Sequence, residues 1–132
     1  MALATRQEKL GPEHPDTLRS LNDLAGAYWA GGQLKEALSL LEEVLPKFQK
    51  KLGPDHPDTL TSMNNLALAY VGTCRLDKAL PLFEEELVKR QKLGPDHPAT
   101  LTCMNTLAYA YHKNGKFAKA ERLLRACLRI RQ

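Results

Sequence analysis

The feature that most constrains the fold is a short phrase, Leu-Gly-Pro-Asp/Glu-His-Pro, which occurs three times in the 132-residue chain. It starts at Leu10, Leu52 and Leu93, so successive copies are 42 and 41 residues apart. Self-similarity at a fixed period indicates a repeat protein, in which one supersecondary unit is built several times over. In each copy the glycine suits the left-handed end of a helix, and the second proline suits the first turn of the next. The phrase therefore predicts that one helix ends and another begins at three places.

Between the phrases, apolar residues recur at the i, i+3, i+4 spacing of amphipathic helices, and no segment alternates as a strand would. Turn residues divide each repeat once more, at Gly31–Gly32, Cys74–Arg75 and Asn114–Gly115. Pro46 lies inside a helical segment and predicts a kink there, or a lost bond to the Glu42 carbonyl. The pattern predicts six helices, at residues 15–30, 34–51, 57–71, 76–92, 98–113 and 117–132.

A hairpin of two short helices cannot bury its apolar face alone, so the hairpins must stack on their neighbours. Small residues at matched positions, such as Ala25, Ala67 and Ala108, allow neighbouring helices to approach closely. We expect an all-α fold: an α-solenoid of three antiparallel helix pairs in a right-handed superhelix, with the first helix of each pair lining the concave side. The chain is predicted to be one domain, residues 1–132, with 1–10 the tail of a preceding helix and repeats at 11–52, 53–93 and 94–132.

The composition argues against a membrane or secreted location and says little about the identity of a partner. No apolar run approaches the length of a membrane span, and the chain does not start with a signal peptide, which predicts a soluble cytoplasmic protein that does not bind membranes. The net charge is +4, and the Lys and Arg are interpreted as spread along the chain rather than clustered, so only a weak preference for acidic segments of a partner is expected. Cys74, Cys103 and Cys127 form no CxxC pair and are interpreted as small apolar fillers.

Catalytic and cofactor signatures are missing from the sequence. It has no glycine-rich phosphate loop, nucleophile elbow, HExxH or paired cysteine ligands, so we predict no enzyme, no cofactor and no metal site. His14, His56 and His97 come from different repeats, too far apart to share an ion, and each precedes a helix-starting proline. They are therefore expected to cap helices or to pack between repeats. The acids of residues 42–43 and 84–86 are interpreted as solvated outer faces. Nucleic acid is not an expected partner, since no basic stripe with interleaved aromatics is present.

The order of residues within each repeat resembles a known family, the tetratricopeptide repeats. A Leu-Ala pair, a Tyr, a Gly-x-Leu/Phe turn and an Ala follow one another in Leu24–Ala37 and in Leu107–Ala120, and with one departure at Cys74–Arg75 in Leu66–Ala79. The long period and the proline-rich phrase are similar to the variety found in kinesin light chains and nephrocystin-type proteins. Glu86 also departs from the pattern, since it occupies a position that is often apolar. The resemblance implies a non-catalytic scaffold that binds a peptide segment of a partner in its concave groove.

One asparagine recurs in the first helix of every repeat, at Asn22, Asn64 and Asn105. Asparagine is a mediocre helix former, so its recurrence in mid-helix calls for a reason. A ladder of amide hydrogen bonds between adjacent repeats is one reason. The other is that an amide holds the backbone of a bound peptide, as asparagines at matching positions do in the proteins that this chain resembles.

Helical spacing extends the surface that these asparagines define. The predicted peptide-binding groove comprises Arg19, Asn22, Trp29, Asn64, Asn65, Leu68, Asn105, Tyr109, His112 and Lys113. Within it, Trp29 is the sole tryptophan, and it either anchors an apolar side chain of a ligand or packs at the turn of its own repeat.

The alternative function is a structural spacer or self-associating array segment without a peptide ligand. It is favoured by the last helix, where Leu123, Cys127, Leu128 and Ile130 are predicted to leave an apolar strip instead of a polar outer face. Such a strip predicts a fragment of a longer array, or a homo-oligomer formed by end-to-end stacking.

Overall fold

The computed structural model describes residues 14–131, and within that range it contains helices and no strands. The helices are α1 (Pro15–Ala30), α2 (Leu34–Leu52), α3 (Pro57–Gly72), α4 (Leu76–Leu93), α5 (Pro98–Lys113) and α6 (Phe117–Arg131). Each bound lies within one residue of the prediction. Helix α2 runs through Pro46, and α4 runs through Pro81. The predicted helix tail, residues 1–10, lies outside the described residues.

The repeated phrase starts α1, α3 and α5 in one way, with a histidine as the N-cap. Nδ1 of His14, His56 and His97 accepts a hydrogen bond from the backbone N–H two residues further on, at 3.1, 3.0 and 3.0 Å. Each bond satisfies one of the helix-start N–H groups that have no partner inside the helix. The capping role predicted for these histidines is confirmed.

The glycines of the phrase are needed for two different reasons. Gly53 has a φ of 99°, as a helix-ending glycine should, but Gly94 has a φ of −179°, which any residue adopts. The predicted left-handed conformation is therefore wrong for Gly94. A Cβ there would lie 3.2 Å from Cβ of His97, so any larger residue would crowd the cap and the glycine allows the close approach. Both glycine carbonyls accept a hydrogen bond from a buried hydroxyl of the following helix, that of Thr59 or Thr100.

The turns inside the hairpins require a positive φ. Gly32, Cys74 and Gly115 supply it, at 81°, 62° and 76°. Cys74 is exposed, so its interpretation as an apolar filler is wrong, whereas Cys103 and Cys127 are buried as predicted.

Replacing Cys74→Gly should raise the free energy of unfolding by about 1 kcal/mol. A left-handed non-glycine residue costs about 1–2 kcal/mol, and the extra backbone entropy that glycine loses on folding offsets part of that gain. Urea denaturation of Cys74→Gly and of Cys74→Ser, which keeps the strain and removes the thiol, measures the effect. Equal stability of the two variants would contradict it.

The hairpins stack in chain order. Each helix packs against the next one in sequence, and α1 also contacts α3 directly. A hydrophobic core extends continuously from Ala25 to Cys127. Direct contact between the first helices of two hairpins places those helices on the inner side of the stack. The molecule is an all-α solenoid, as predicted.

A tyrosine–glutamate hydrogen bond joins each hairpin to the next. Tyr70 Oη on α3 donates to Glu42 Oε2 on α2 at 2.8 Å, and Tyr111 on α5 donates to Glu84 on α4 in the same way. Burial, and then the bond to the carboxylate, raises the pKa of both tyrosines to about 12. The two junctions inside the chain are thus built alike.

These bonds predict a loss of stability at alkaline pH. Because the folded-state pKa is raised from 10.0 to about 12, their contribution is present below pH 10 and is lost as the pH rises towards 12. Urea denaturation across this range should show a steeper loss for the parent chain than for the double variant Tyr70→Phe/Tyr111→Phe. Parallel losses in the two proteins would rule out the tyrosines as the cause.

The apolar strip predicted on the last helix is only partly correct. Leu128 and Ile130 are exposed, but Cys127 is buried and Leu123 is half-buried. Phe117 and Leu124 are exposed instead.

Candidate functional site

The candidate site is the surface formed by the first helices of the hairpins. Helices α1 and α3 contact each other directly on this side, and the positions of α5 are assigned to it by their equivalence in the repeat. We call it the inner groove and define it by Gly26, Trp29, Asn65, Leu68, Tyr109, His112 and Lys113.

A small cavity lies in the inner groove between α1 and α3. It has a volume of about 80 Å³ and is lined by Ala25, Gly26, Trp29, Leu41, Asn65 and Leu68. Three residues of the predicted groove, Trp29, Asn65 and Leu68, therefore meet around one cavity. Gly26 leaves it open, because a Cβ at that position would meet no atom within 4 Å. The cavity combines apolar walls with one amide.

Gly72, which the sequence analysis missed, positions the tryptophan. A Cβ on Gly72, at the end of α3, would lie 2.5 Å from Cη2 and 2.7 Å from Cζ3 of Trp29. The indole therefore packs against the backbone of the next hairpin. It remains 37% exposed, so the same ring also faces the cavity and solvent. In the sequence Gly72 is only a glycine close to the predicted turn at Cys74–Arg75, and the structure adds that its φ is not positive.

A second cluster lies where α5 ends. Tyr109 is 52% exposed, and Lys113 Nζ lies 5.4 Å from its ring centroid. The His112 ring meets the exposed Phe117 ring edge to face, with centroids 4.9 Å apart. Tyr109, His112 and Lys113 were predicted to lie in the groove, and Phe117 was missed. This end of the groove is aromatic and cationic.

Arg19, another predicted groove residue, joins two hairpins. Its Nε donates to Asp58 Oδ2 at the start of α3 at 2.7 Å, and its Nη1 binds Asp16 on its own helix at 2.6 Å. The bond to Asp58 raises the pKa of Arg19. The guanidinium is thus engaged by two carboxylates before any ligand is considered.

The recurring asparagines do not form a ladder. Nδ2 of Asn64 donates to Glu86 Oε1 on α4 of the same hairpin, at 2.9 Å. Oδ1 of Asn22 is buried without a hydrogen-bond partner among the described residues. No bond between Asn22, Asn64 and Asn105 is found in residues 14–131, so the proposed chain of amides between repeats is wrong there. The three recurring asparagines are half-buried and do not line the cavity. Asn65 lines it instead.

The partner of Asn64 belongs to a buried ion pair. Glu86 is 1% exposed and accepts a hydrogen bond from Nε of Arg90, one helical turn later. The interpretation of this acid as part of a solvated face is wrong. Val44 and Phe48 occupy the equivalent positions in the first repeat, so one repeat has an apolar contact where the next has an ion pair.

Residues 14–131 offer little basis for a metal site, for a reactive cysteine or for a membrane span. No group of three or more His, Cys, Asp or Glu side chains there is arranged to hold a metal ion. Burial, followed by the neighbouring carboxylate of Glu86, raises the pKa of the Cys103 thiol, which makes it a poor nucleophile. None of the helices in this range is long and apolar enough to cross a bilayer.

Positive charge is concentrated rather than spread, contrary to the interpretation of the sequence. Residues 113–131 contain seven basic side chains and one acidic one, a formal charge of +6, while the whole chain has +4. The rest of the molecule is therefore slightly acidic.

Comparison with known proteins agrees with this architecture. The tetratricopeptide repeat family model matches residues 1–50, 32–87 and 75–132. A search of the curated proteins found no match. Solved structures that resemble the chain include a Podosopora anserina protein described as a putative kinesin light chain with nearly identical TPR-like repeats. It has 36% identity and a TM-score of 0.81, and the match covers 98% of this chain and 62% of that one.

Two further structures show the same likeness. A point variant of the Podosopora anserina protein has 36% identity and a TM-score of 0.83, with coverage of 97% and 61%. BtubC (BKLC) from P. vanneervenii has 26% identity and a TM-score of 0.87, with coverage of 98% and 52%. The chain therefore spans 52–62% of the length of these relatives. With the family model matching along its whole length, the chain belongs to the tetratricopeptide repeat family, and its repeats are similar to those of kinesin light chains.

Proposed function

We propose that the chain binds a segment of another protein, extended or in a short helix, in the inner groove. Tetratricopeptide repeats are protein–protein interaction scaffolds, and the fold is typically non-catalytic. The observation that carries the proposal is the cavity beside Trp29. An exposed aromatic ring, a half-buried leucine and an amide around one opening suit an apolar side chain and the adjacent peptide backbone.

The charge distribution supports a direction for the bound segment. His112 and Lys113 lie at the end of α5, and Lys113 is the first residue of the basic segment 113–131. Acidic residues of a ligand are favoured there, while its apolar anchor occupies the cavity between α1 and α3. Electrostatic complementarity of this kind fixes the register of a peptide and raises its association rate.

A cytoplasmic location accompanies the proposal. Cys103 and Cys127 are buried free thiols, and Cys74 is an exposed one. Unpaired thiols are typical of a reducing compartment.

Capture from a library of random peptides displayed on phage tests the proposal, because no ligand has to be assumed. Enriched peptides should share an aliphatic or aromatic residue and, to one side of it, acidic residues. The variant Leu68→Glu places a charge at the cavity and should weaken binding of those peptides by roughly tenfold or more.

The matched control is Val88→Glu, the same type of change at a residue of α4 that is 53% exposed and outside the inner groove. It should bind like the parent chain. Circular dichroism of both variants verifies that helicity is kept. Lack of enrichment, or equal binding by Leu68→Glu, would overturn the proposal in favour of a structural spacer.

A further inference from the structure

The cavity between α1 and α3 has a buried end and an exposed mouth. Ala25 and Leu41, which are 1% and 3% exposed, line the buried end, whereas Gly26 and Trp29 are exposed at the mouth. A Cβ on Gly26 would meet no atom within 4 Å, so the space beside this residue is empty. The missing side chain of Gly26 therefore keeps the mouth of the cavity unobstructed.

The equivalent positions at the second junction carry larger side chains. The counterpart of Gly26 in the second repeat is Leu68, and the counterpart of Leu41 is Phe83. Phe83 is fully buried, and Leu68 is half-buried against the hydrophobic core. The first junction, which combines a glycine with the smaller core residue, therefore has more room for a side chain from outside.

The volume of the cavity limits the side chain that it accepts. An apolar cavity of about 150 Å³ admits benzene. This cavity, at about 80 Å³, has roughly half that volume. The aliphatic side chains of leucine, isoleucine, valine and methionine are smaller than benzene, whereas phenylalanine carries a benzene ring and tryptophan a larger one. The cavity therefore suits an aliphatic side chain and is too small for an aromatic one.

One polar group beside the apolar walls is available to a ligand. Asn65 is half-buried, and its side-chain amide makes no hydrogen bond to another group in residues 14–131. The neighbouring Asn64 is instead bonded to Glu86. A side-chain amide offers both donors and an acceptor, which match the C=O and N–H groups of a peptide backbone. The Asn65 amide is thus placed to hold the backbone next to an inserted side chain.

We propose that the cavity takes one aliphatic side chain of the bound segment, from leucine, isoleucine, valine or methionine, and that Gly26 sets the upper size limit. This inference rests on the proposed function and narrows it, because it excludes an aromatic anchor. Ala25 and Leu41 belong to the packed interior, which resists displacement by a larger ring. Gly26 is therefore the residue that determines the specificity of the anchor site.

Small mimics of single side chains test the cavity without an assumed peptide. Isobutanol carries the isobutyl group of leucine, and 3-methylindole reproduces the side chain of tryptophan. In amide chemical-shift titrations of the isotope-labelled chain, isobutanol should cause saturable changes at Gly26, Asn65 and Leu68, and 3-methylindole should not. The variant Gly26→Leu, which copies the second repeat, should abolish the response to isobutanol, because its side chain fills the mouth of the cavity.

A reciprocal variant tests the size limit from the other side. Leu68→Ala enlarges the cavity and should admit 3-methylindole. Val88→Ala, a change at an exposed residue of α4 outside the cavity, is the matched control and should respond like the parent chain. Circular dichroism checks that the variants remain folded. A library-selected peptide with leucine as its anchor should bind the parent chain roughly tenfold more tightly than the same peptide with tryptophan, and Leu68→Ala should reduce that preference.

Failure of this proposal is distinguishable from failure of the proposed function. Peptides enriched with phenylalanine or tryptophan as the anchor, saturable changes by 3-methylindole in the parent chain, or an unchanged response to isobutanol in Gly26→Leu would overturn the size limit and leave peptide binding intact. A selective response to isobutanol without any enriched peptide would support the size limit and contradict the proposed function.

Discussion

Replacing Arg90→Met will lower the free energy of unfolding by about 3 kcal/mol, the typical cost of removing one partner from a buried ion pair. The variant leaves the Glu86 carboxylate, 1% exposed, without its cationic partner and with neutral hydrogen-bond donors, the Asn64 amide and the Cys103 thiol. Methionine keeps most of the volume of the arginine stem, so the loss reports the charge and not a cavity. Urea denaturation at neutral pH measures it.

The first repeat suggests a double substitution that should restore the stability lost in Arg90→Met. Changing Glu86→Val and Arg90→Phe together copies Val44 and Phe48 and should restore stability to within about 1 kcal/mol of the parent chain or above it, since apolar replacements of buried pairs are often neutral or stabilising. Glu85→Ala, an exposed neighbour, is the control and should change stability little. If Arg90→Met were as stable as Glu85→Ala, the ion pair would have no energetic role.

The substitution Gly72→Ala is expected to weaken ligand binding from a position outside the cavity lining. The added Cβ would lie 2.5 Å from the Trp29 ring, which is part-exposed and can swing out into solvent. Since the ring is already part-exposed and Gly72 is the last residue of α3, the loss of stability should be small, and circular dichroism should show unchanged helicity. Binding of library-selected peptides should fall by roughly tenfold or more, because the ring no longer shapes the cavity.

Fluorescence reports the displacement of the indole ring directly, since Trp29 is the sole tryptophan. Emission of Gly72→Ala should shift to longer wavelength than that of the parent chain. Gly26→Ala is the matched control, because a Cβ at that position meets no atom within 4 Å. It should leave the emission unchanged and stabilise α1 by about 1 kcal/mol. Unshifted emission and full binding by Gly72→Ala would show that the indole does not rest on Gly72.

The bounds of the helices could be predicted almost to the residue because the residues that start and end each helix are adjacent to it in sequence. The His-Pro phrase fixes each first helix through a cap bond that spans two residues, and the order of stacking follows from the repeat itself. Local sequence also flagged Cys74 as a departure, although its positive φ emerged only from the structure.

The site could be predicted less well because it depends on contacts between hairpins. Glu86 and Arg90 have the spacing of an ordinary solvated pair, and burial is signalled only by the often apolar position of Glu86 in the repeat pattern and by comparison with Val44 and Phe48. The asparagine that lines the cavity is Asn65, one residue after the recurring Asn64. Which of two neighbouring positions faces the opening depends on the rotation of α3 against α1, and that rotation is set by packing across the junction.

The most direct test of the groove as the binding site is an amide chemical-shift map of the isotope-labelled chain, recorded with and without the most enriched library peptide. The account predicts the largest changes at Gly26, Asn65 and Leu68, with further changes near Lys113. Changes confined to α4 and α6, or none at saturating peptide, would contradict it.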